Sequence, residues 1–485
     1  MKHKFVIVGG GTAGMIAATL LKSYYGINTD VTVIYDHKNP GIGVGESLTP
    51  LIYDYFSYVG ITRDELVKHC NATVKLGLKF KNWLNDGKYY YHNFRELTHQ
   101  YPLNLEAGYD IVHNKYNHDF TYGSEYMEKC LIPSNPNAIQ SIHFDAVIFS
   151  RYIEKKFSNR INIVDGIVDD VILSENDIIK SVMLKDGRNI EGDFFIDASG
   201  FQYVLFKKLK NTWVDKKDWL PLDRCIPNPV EYQFTKQPPY TTSEASDQGW
   251  ILQVPLSNRW GAGYLYSSQF LDDTQAFTNF EKECKRLYGK SLTNTSRVIK
   301  FNSGYWQNQW VGNCLAVGLS SGFSEPLEAT NIHHCVYQLW YFIWQYNFKC
   351  FDHDRRIYNE AMSKFYENVY LYLRFCYVTG RTDSEFWKYM THNIPKNVKD
   401  LQEKVSYDIL NERTLPGDIF NYGNFTKVAY GLRMIENESY KNNLIIRNVF
   451  EKAKTDSEIM YGMKSENLDK AIDHRSYINN ILRSP

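Results

Sequence analysis

The sequence predicts a mixed α/β fold: a dinucleotide-binding module with an inserted antiparallel sheet, followed by a mainly helical module. Three observations predict it. The chain opens on a strand–glycine–helix–strand pattern, residues 230–270 alternate as in an antiparallel sheet, and the patterns beyond residue 335 are mainly helical. We expect the first module to span 1–335, with a lid-like excursion at 84–140 and the sheet inserted at 206–300, and the second to span 336–485.

The opening pattern is that of a dinucleotide site. An apolar run at residues 5–8 leads into Gly9-Gly10-Gly11-Thr12-Ala13-Gly14, a helix pattern over 15–25 and a strand at 30–36. Glycines let the backbone approach a pyrophosphate, and the positive end of the helix neutralises it. The second strand ends on Tyr35 and Asp36, where an acid usually binds ribose. This order of elements predicts a bound dinucleotide rather than a βα turn without a ligand.

A second glycine-rich stretch follows at residues 41–50, Gly-Ile-Gly-Val-Gly-Glu-Ser-Leu-Thr-Pro. Glycines at alternate positions suit either a flexible turn or a loop pressed against a ligand. The pattern alone favours neither.

Residues 73–83 alternate strictly between apolar and polar positions. One face carries Val74, Leu76, Leu78 and Phe80, and the other carries Lys75, Gly77, Lys79 and Lys81. Taken alone, this pattern is typical of an edge strand with a solvated lysine face.

Further patterns predict a helix over 143–157, strands at 161–164 and 167–173, and a strand from 193 that ends in the small-residue turn 198–200. Residues 310–335 predict a buried strand, a polar turn that holds Glu325, Pro326 and Glu328, and a helix from about Ile332. A carboxylate just before the positive end of a helix is a candidate catalytic group.

Composition excludes several classes of function. Lysine plus arginine equal aspartate plus glutamate at 55 each, and no basic patch is interleaved with aromatics, so no nucleic-acid partner is expected. The eight scattered cysteines suit reduced thiols, and no metal site is indicated. The chain opens directly on a strand, and the most apolar helix pattern, 332–348, is too polar and short to cross a bilayer. We expect a cytoplasmic protein without a membrane partner.

Several stretches together resemble the flavin-dependent halogenases of the tryptophan-halogenase type. The similarity runs in order and fades after about residue 335; it is carried by residues 9–14, 41–46, 75–83, 143–145, 195–200 and 318–330. The lysine strand and the Glu-Pro-Leu-Glu-x-Thr turn are its specific parts, since related flavoproteins share the glycine fingerprint. The resemblance implies a glutathione-reductase-like FAD-binding module and a helical module that caps the substrate site.

The resemblance also implies a reaction. FAD is used as FADH₂, delivered by a separate NAD(P)H-dependent flavin reductase, and reacts with O₂ to give a C4a-hydroperoxide. A halide ion (chloride, bromide or iodide) attacks this to give hypohalous acid, which passes through a tunnel to Lys75. Lys75 holds it as a haloamine or through a hydrogen bond and directs it at an electron-rich aromatic substrate. Glu328 positions the electrophile and takes a proton from the arenium intermediate.

The resemblance further implies which residues bind each ligand. The halide lies on the backbone amides of Thr330 and Asn331. The substrate is contacted by His99, Phe420 and Asn424. FAD contacts fall on Gly9, Gly11, Thr12, Ala13, Gly14, Tyr35, Asp36, Gly45, Glu46, Val168 and Leu319.

Departures from the family pattern leave alternatives open. Leu252 replaces the second tryptophan of the family's W-x-W-x-I-P marker, which keeps a flavin-dependent aromatic hydroxylase as a rival. A non-catalytic flavin-binding redox protein is a second rival, although it would need neither Lys75 nor Glu328. Phe420 stands where a sandwiching tryptophan is expected, so another indole or a phenol suits the site as well as free tryptophan. The protonation of Lys75 and Glu328 and a homodimer are left open.

Overall fold

The computed structural model describes residues 2–39, 41, 45–94, 124–135, 141–174, 177–293, 295–408, 419–455 and 468–484. The chain forms two compact units, each assembled from three segments. The first unit contains Met1–Ala72, Phe144–Asp218 and Phe301–Tyr366, and the second contains Thr73–His143, Trp219–Lys300 and Glu367–Pro485. The predicted modules, 1–335 and 336–485, are defined by their expected roles in binding the cofactor and the substrate, whereas the two units are defined by compactness. The module boundaries therefore stay a prediction.

The first unit is built on a six-stranded sheet whose five longer strands are parallel. In spatial order the strands are Trp310–Val311, Cys314–Ala316, Phe194–Asp197, His3–Val8, Thr29–Tyr35 and Asn162–Asp165. Side chains on one face of this sheet, among them Val6, Val8 and Ile34, form a core cluster with Val171 and Val182 of a small antiparallel sheet. The predicted strand–helix–strand opening is present, with its helix at Thr12–Tyr25. The predicted mixed α/β fold class is confirmed.

Two small antiparallel sheets also belong to the first unit: Val168–Leu173, Ile179–Leu184 and Asn189–Glu191 in one, and Trp213–Asp215, Gly304–Trp306 and Gly322–Phe323 in the other. Its further helices are Ile52–Val59, Arg63–Cys70, Ala146–Lys156 and Thr330–Gln345.

The helix predicted over 143–157 is wrong at its start. Ser141–Phe144 is a strand, and the helix begins at Ala146. The physical reason is Asp145, whose carboxylate accepts hydrogen bonds from the backbone N–H groups of Val147 and Ile148 and so caps the helix.

The second unit is built on a seven-stranded, mostly antiparallel sheet. In spatial order its strands are Ile299–Lys300, Arg224–Glu231, Arg259–Tyr266, Gly249–Pro255, Tyr240–Ser246, Gly77–Lys81 and Tyr89–Asn93. The edge strand predicted from the lysine alternation is wrong for Gly77–Lys81, which has a paired strand on each side. The alternating run also breaks at Leu76, and its first part, Thr73–Lys75, pairs instead with Ser141–Phe144.

The remaining described elements of the second unit are mainly helical. A short ladder joins strands Leu131–Ile132 and Ile472–Asp473. The helices are Ser124–Glu128, Asp273–Tyr288, Glu385–His392, Lys396–Tyr407, Tyr422–Gly431, Asn437–Ile446 and His474–Arg483, and the helix Asp352–Phe375 enters this unit from the first. Among the described residues, no helix is long and apolar enough to cross a membrane.

Candidate active site

The glycine turn after the first strand is shaped by close backbone contacts. Gly9 has φ +118°, and a Cβ there would lie 2.2 Å from the carbonyl oxygen of Ala198. A Cβ on Gly14 would lie 1.9 Å from the carbonyl oxygen of Gly9. A Cβ on Gly11, by contrast, would meet nothing within 4 Å, and no described side chain caps the helix that follows. Gly9 and Gly14 therefore serve packing, whereas Gly11 leaves space before uncapped helix amides, which fits a dinucleotide pyrophosphate.

Replacing Gly11 with valine should weaken FAD binding without destabilising the fold. Gly11 has φ −74°, which any residue adopts, and its Cβ position is open. We expect the melting temperature to change little while FAD affinity falls at least tenfold, because the side chain occupies the pyrophosphate position. Fluorescence titration with FAD checks this. Gly9→Ala is the matched control and should destabilise the fold through the contact with Ala198; unchanged FAD affinity in Gly11→Val would contradict the assignment.

The two candidates for ribose binding differ in what they already contact. The Tyr35 hydroxyl donates a hydrogen bond to Oε2 of Glu154 (2.6 Å), and its ring lies against Gly10, where a Cβ would be 2.3 Å from the ring. The Asp36 carboxylate, which accepts a hydrogen bond from the backbone N–H of Lys38, lies at the carboxyl end of the strand and is half-buried. Asp36 is therefore the better placed of the two for a ribose hydroxyl.

The turn at Gly318 adjoins the glycine turn. Gly318 has φ +59°, and a Cβ there would lie 2.7 Å from Cβ of Ala13 at the start of the first helix. The next residue, Leu319, is half-buried at this edge of the sheet. Leu319 thus directly follows the glycine that approaches Ala13. Val168 begins the strand Val168–Leu173 and packs against the core beneath that small sheet.

The second glycine-rich stretch ends in a half-buried carboxyl group. Gly45 precedes the short strand Glu46–Ser47. Burial, and secondarily the carboxylate of Asp145, raises the pKa of Glu46 to about 7. A carboxyl group that is partly protonated near neutral pH can both donate and accept hydrogen bonds, which suits contact with a ribose or a flavin ring.

The turn at residues 324–331 places a carboxylate and a helix start side by side. Glu328 is 2% exposed in the 3-10 turn Pro326–Glu328, and Ala329 follows with φ +60°, an uncommon conformation for alanine. The helix then begins at Thr330, and no described side chain caps it. The hydroxyls of Thr330 and Ser324 lie 3.2 Å apart, and Nδ2 of Asn331 donates to the carbonyl oxygen of Ser324. The first amides of this helix suit a small anion.

Two histidines beside this turn were not predicted. His333 Nδ1 lies 2.6 Å from the hydroxyl of Thr49, and burial lowers the pKa of His333 to about 4. The ring of His334 stacks on Phe365 at 4.4 Å between centroids, and burial together with His333 lowers the pKa of His334 well below 6.5. Adjacent histidines in an apolar helix look like core residues in a sequence, so no local signal would have found them.

The two lowered pKa values predict an acid-sensitive fold. In the unfolded chain these imidazoles bind a proton near pH 6.5, whereas the folded chain resists protonation, down to about pH 4 for His333. Stability is therefore complete above about pH 6.5 and falls as the pH drops toward 4, by at most about 3 kcal/mol for His333. Melting temperatures measured from pH 8 to pH 4 check this. His334→Phe keeps a ring on Phe365 and should lose less stability in acid; an identical pH profile would contradict the assignment.

Lys75 is buried, not solvated. It is 0% exposed on the strand Thr73–Lys75, and its Nζ lies 4.6 Å from the centroid of the Phe94 ring. An ordinary surface lysine keeps its ammonium group in water, so full burial sets this side chain apart.

The predicted substrate residues Phe420 and Asn424 belong to one cluster. The Phe420 ring stacks on Tyr372 with centroids 3.7 Å apart and planes at 10°. Asn424 Nδ2 donates to Nε2 of His92 (3.1 Å), and the other ring nitrogen of His92 lies 3.1 Å from the Tyr372 hydroxyl. His92 and Tyr372 were missed because they lie far from Asn424 in the sequence. His99 lies outside the described residues.

The fold and the glycine turn define the class of protein: an α/β protein built to bind a dinucleotide. Residues 4–444 match the family described as "Tryptophan halogenase", so the chain belongs to that family of flavin-dependent halogenases and is an oxidoreductase. The resemblance stated from the sequence is confirmed. It extends further than expected, since the match continues beyond residue 335.

Individual relatives agree with this family. The chain is 30% identical over 427 residues to the 7-chloro-L-tryptophan 6-halogenase KtzR of Kutzneria sp. (strain 744), covering 79% of this chain and 81% of KtzR. It is 29% identical over 417 residues to the tryptophan 7-halogenase RebH of Lentzea aerocolonigenes, covering 79% of this chain and 78% of RebH. The fold matches that of Xcc4156, a flavin-dependent halogenase from Xanthomonas campestris, with a TM-score of 0.89 and 22% sequence identity. The match covers 100% of this chain and 99% of Xcc4156.

Proposed function

We propose that this protein uses FADH₂ and O₂ to halogenate an electron-rich aromatic small molecule, with chloride, bromide or iodide as the halogen source. The observation that carries the proposal is the burial of Lys75, which is 0% exposed. Burial disfavours the charged form of an amine, and the neutral form is the nucleophile. Lysines on a protein surface keep their amines in water.

The first unit would hold the cofactor and the halide. Gly11, Thr12 and the first helix amides would hold the pyrophosphate of FAD, Asp36 the ribose, and Leu319 the flavin end. Bound and reduced FAD supplies the activation of O₂ that oxidises a halide ion to hypohalous acid. The first amides of the helix Thr330–Gln345 would hold the halide, since a helix start attracts small anions. A separate NAD(P)H-dependent reductase would supply FADH₂.

Lys75 and Glu328 would carry the halogen transfer. The Lys75 amine attacks the halogen of hypohalous acid, a nitrogen–halogen bond forms, and water leaves with the amine proton. An aromatic carbon then takes the halogen as the nitrogen–halogen bond breaks, and the nitrogen takes up a proton, which regenerates the amine. Glu328 accepts the proton that the arenium carbon loses, as a positioned general base.

The cluster around Phe420 would bind the aromatic substrate. Phe420 offers a ring for stacking, and Asn424 and His92 supply polar groups beside it. His99 is also proposed as a contact. An indole or a phenol meets these requirements, and free tryptophan is one candidate among them.

The test is a turnover assay with FAD, a flavin reductase and NADH. Chloride, bromide and iodide are offered in turn with a panel of indoles and phenols, and products are identified by mass spectrometry. A halide-dependent halogenated product supports the proposal. An oxygenated product formed equally without halide would assign the chain to the aromatic hydroxylases, the alternative that Leu252 leaves open.

A further inference from the structure

The strand that carries Lys75 is held from its outer side by a histidine 400 positions away. The strand Thr73–Lys75 lies at the edge of its sheet. The backbone N–H of Val74 donates a hydrogen bond to Nε2 of His474 at 3.0 Å, and the other ring nitrogen, Nδ1, lies 2.9 Å from the carbonyl oxygen of Gln237. Because a carbonyl only accepts, Nδ1 carries the proton and Nε2 is the acceptor. His474 is thus held in one neutral tautomer, 0% exposed.

A second buried histidine holds the same strand through its first residue. The Thr73 hydroxyl donates to the carbonyl oxygen of Pro255 at 2.6 Å, so it accepts from Nδ1 of His143 at 2.9 Å. Nε2 of His143 then accepts from the hydroxyl of Thr241 at 2.9 Å. Burial lowers the pKa of His143 well below 6.5. Both imidazoles are neutral acceptors, which suits a strand that carries an amine.

The C-terminal segment around His474 is anchored beside the lysine strand. Its strand Ile472–Asp473 pairs with Leu131–Ile132, and the backbone N–H of His474 donates to the carbonyl oxygen of Cys130. Apolar side chains of both segments form one cluster: Val74, Ile132, Leu76, Ile472 and Tyr477. The position of the His474 ring is therefore fixed. Its hydrogen bond to the Val74 N–H in turn fixes the position of Val74, the residue next to Lys75.

We propose that His474 is a positioning residue for Lys75: through the Val74 N–H it fixes the depth and direction of the strand from which the amine projects. The inference rests on the proposed halogenation and on the role of Lys75 in it. Without this acceptor, the Val74 amide is left buried and unsatisfied, and the strand shifts to satisfy it. A shift of 1 Å in a group that aims a reagent typically lowers the rate about 100-fold.

The experiment compares His474→Phe, which keeps a ring and removes the acceptor, with His474→Gln, whose amide oxygen can reach the position of Nε2. Ile478→Ala is the matched control, because Ile478 is buried in the same helix and does not touch the Val74 amide. Each variant is assayed with bromide and the panel of indoles and phenols. The readouts are brominated arene per FADH₂ consumed, hypobromous acid trapped by an added enolisable 1,3-diketone, and hydrogen exchange of the Val74 amide.

For His474→Phe we expect a product yield per FADH₂ at least tenfold lower, unchanged FADH₂ consumption, undiminished trapped hypobromous acid and faster exchange at Val74. His474→Gln should restore most of the yield. Ile478→Ala should lower the melting temperature and leave the yield unchanged. If His474→Phe does not fold, His474→Asn, which is too short to reach the Val74 amide, takes its place.

Two results overturn the inference, and they are distinguishable. A full yield in His474→Phe or His474→Asn, with Lys75→Ala inactive, would reduce His474 to a structural residue and leave the proposed function intact. No halogenated product from the wild-type protein, with any halide, would overturn the proposed function and the inference together.

Discussion

Replacing Lys75 with alanine should abolish aromatic halogenation and leave oxidation of reduced flavin and release of peroxide intact. The physical reason is that Lys75 acts only in the second step of the proposed reaction, on the oxidised halogen. Lys75 lies in the second unit, whereas the residues proposed to bind the cofactor lie in the first. Product is measured by mass spectrometry, and peroxide by a coupled colour assay under the same turnover conditions. We expect product to fall at least 1,000-fold, as for loss of a covalent nucleophile.

Two further substitutions sharpen this result. Lys75→Met keeps an unbranched apolar side chain at this buried position without the amine, so it should be as inactive as the alanine variant but closer to the wild type in melting temperature. Lys79→Ala is the matched control from the next strand, Gly77–Lys81, since its amine also lies over an aromatic ring, 3.5 Å from the centroid of Tyr89. Regioselective product from Lys75→Met would remove the amine from the mechanism.

Replacing Glu328 with glutamine should slow turnover by about 100- to 10,000-fold, the usual effect of removing a positioned general base. Glutamine has the same size, so the buried turn Pro326–Glu328 should keep its shape and FAD should bind as in the wild type. Single-turnover formation of the halogenated product is the measurement, because it isolates the chemical step from supply of FADH₂.

Glu328→Asp tests position separately from charge. Aspartate keeps the carboxylate but withdraws it by one methylene, so an intermediate rate is expected if the carboxylate must reach a particular carbon. A rate near the wild type in Glu328→Gln would show that the proton leaves by another route.

The fold was largely predictable because its strongest signals are local. The strand, glycine turn and first helix follow one another within residues 3–25, and the glycine pattern has a geometric cause that the contact with Ala198 makes visible. The start of the helix at Ala146 was misjudged because the capping role of Asp145 was overlooked. The edge prediction failed for Gly77–Lys81 because the sequence does not indicate which strands flank it.

The candidate site was less predictable, since it depends on contacts between distant residues. The link from Val74 to His474 spans 400 positions, and that from His92 to Asn424 spans 332. Neither histidine lies in a motif, and each was indistinguishable from a core or surface histidine in the sequence. The left-handed conformation of Ala329 was equally hidden, because alanine does not favour it.

The stacking of Phe420 on Tyr372 has a consequence for engineering substrate choice. A phenylalanine at this position invites replacement by the tryptophan that the family resemblance predicts there. Yet one face of the ring is already covered by Tyr372 at 3.7 Å, and the Tyr372 hydroxyl lies 3.1 Å from His92, so a larger indole has to pack against a ring that is already held. Phe420 and Tyr372 should therefore be varied together in libraries that seek new substrates. Libraries that vary Phe420 alone should yield mostly misfolded or inactive proteins.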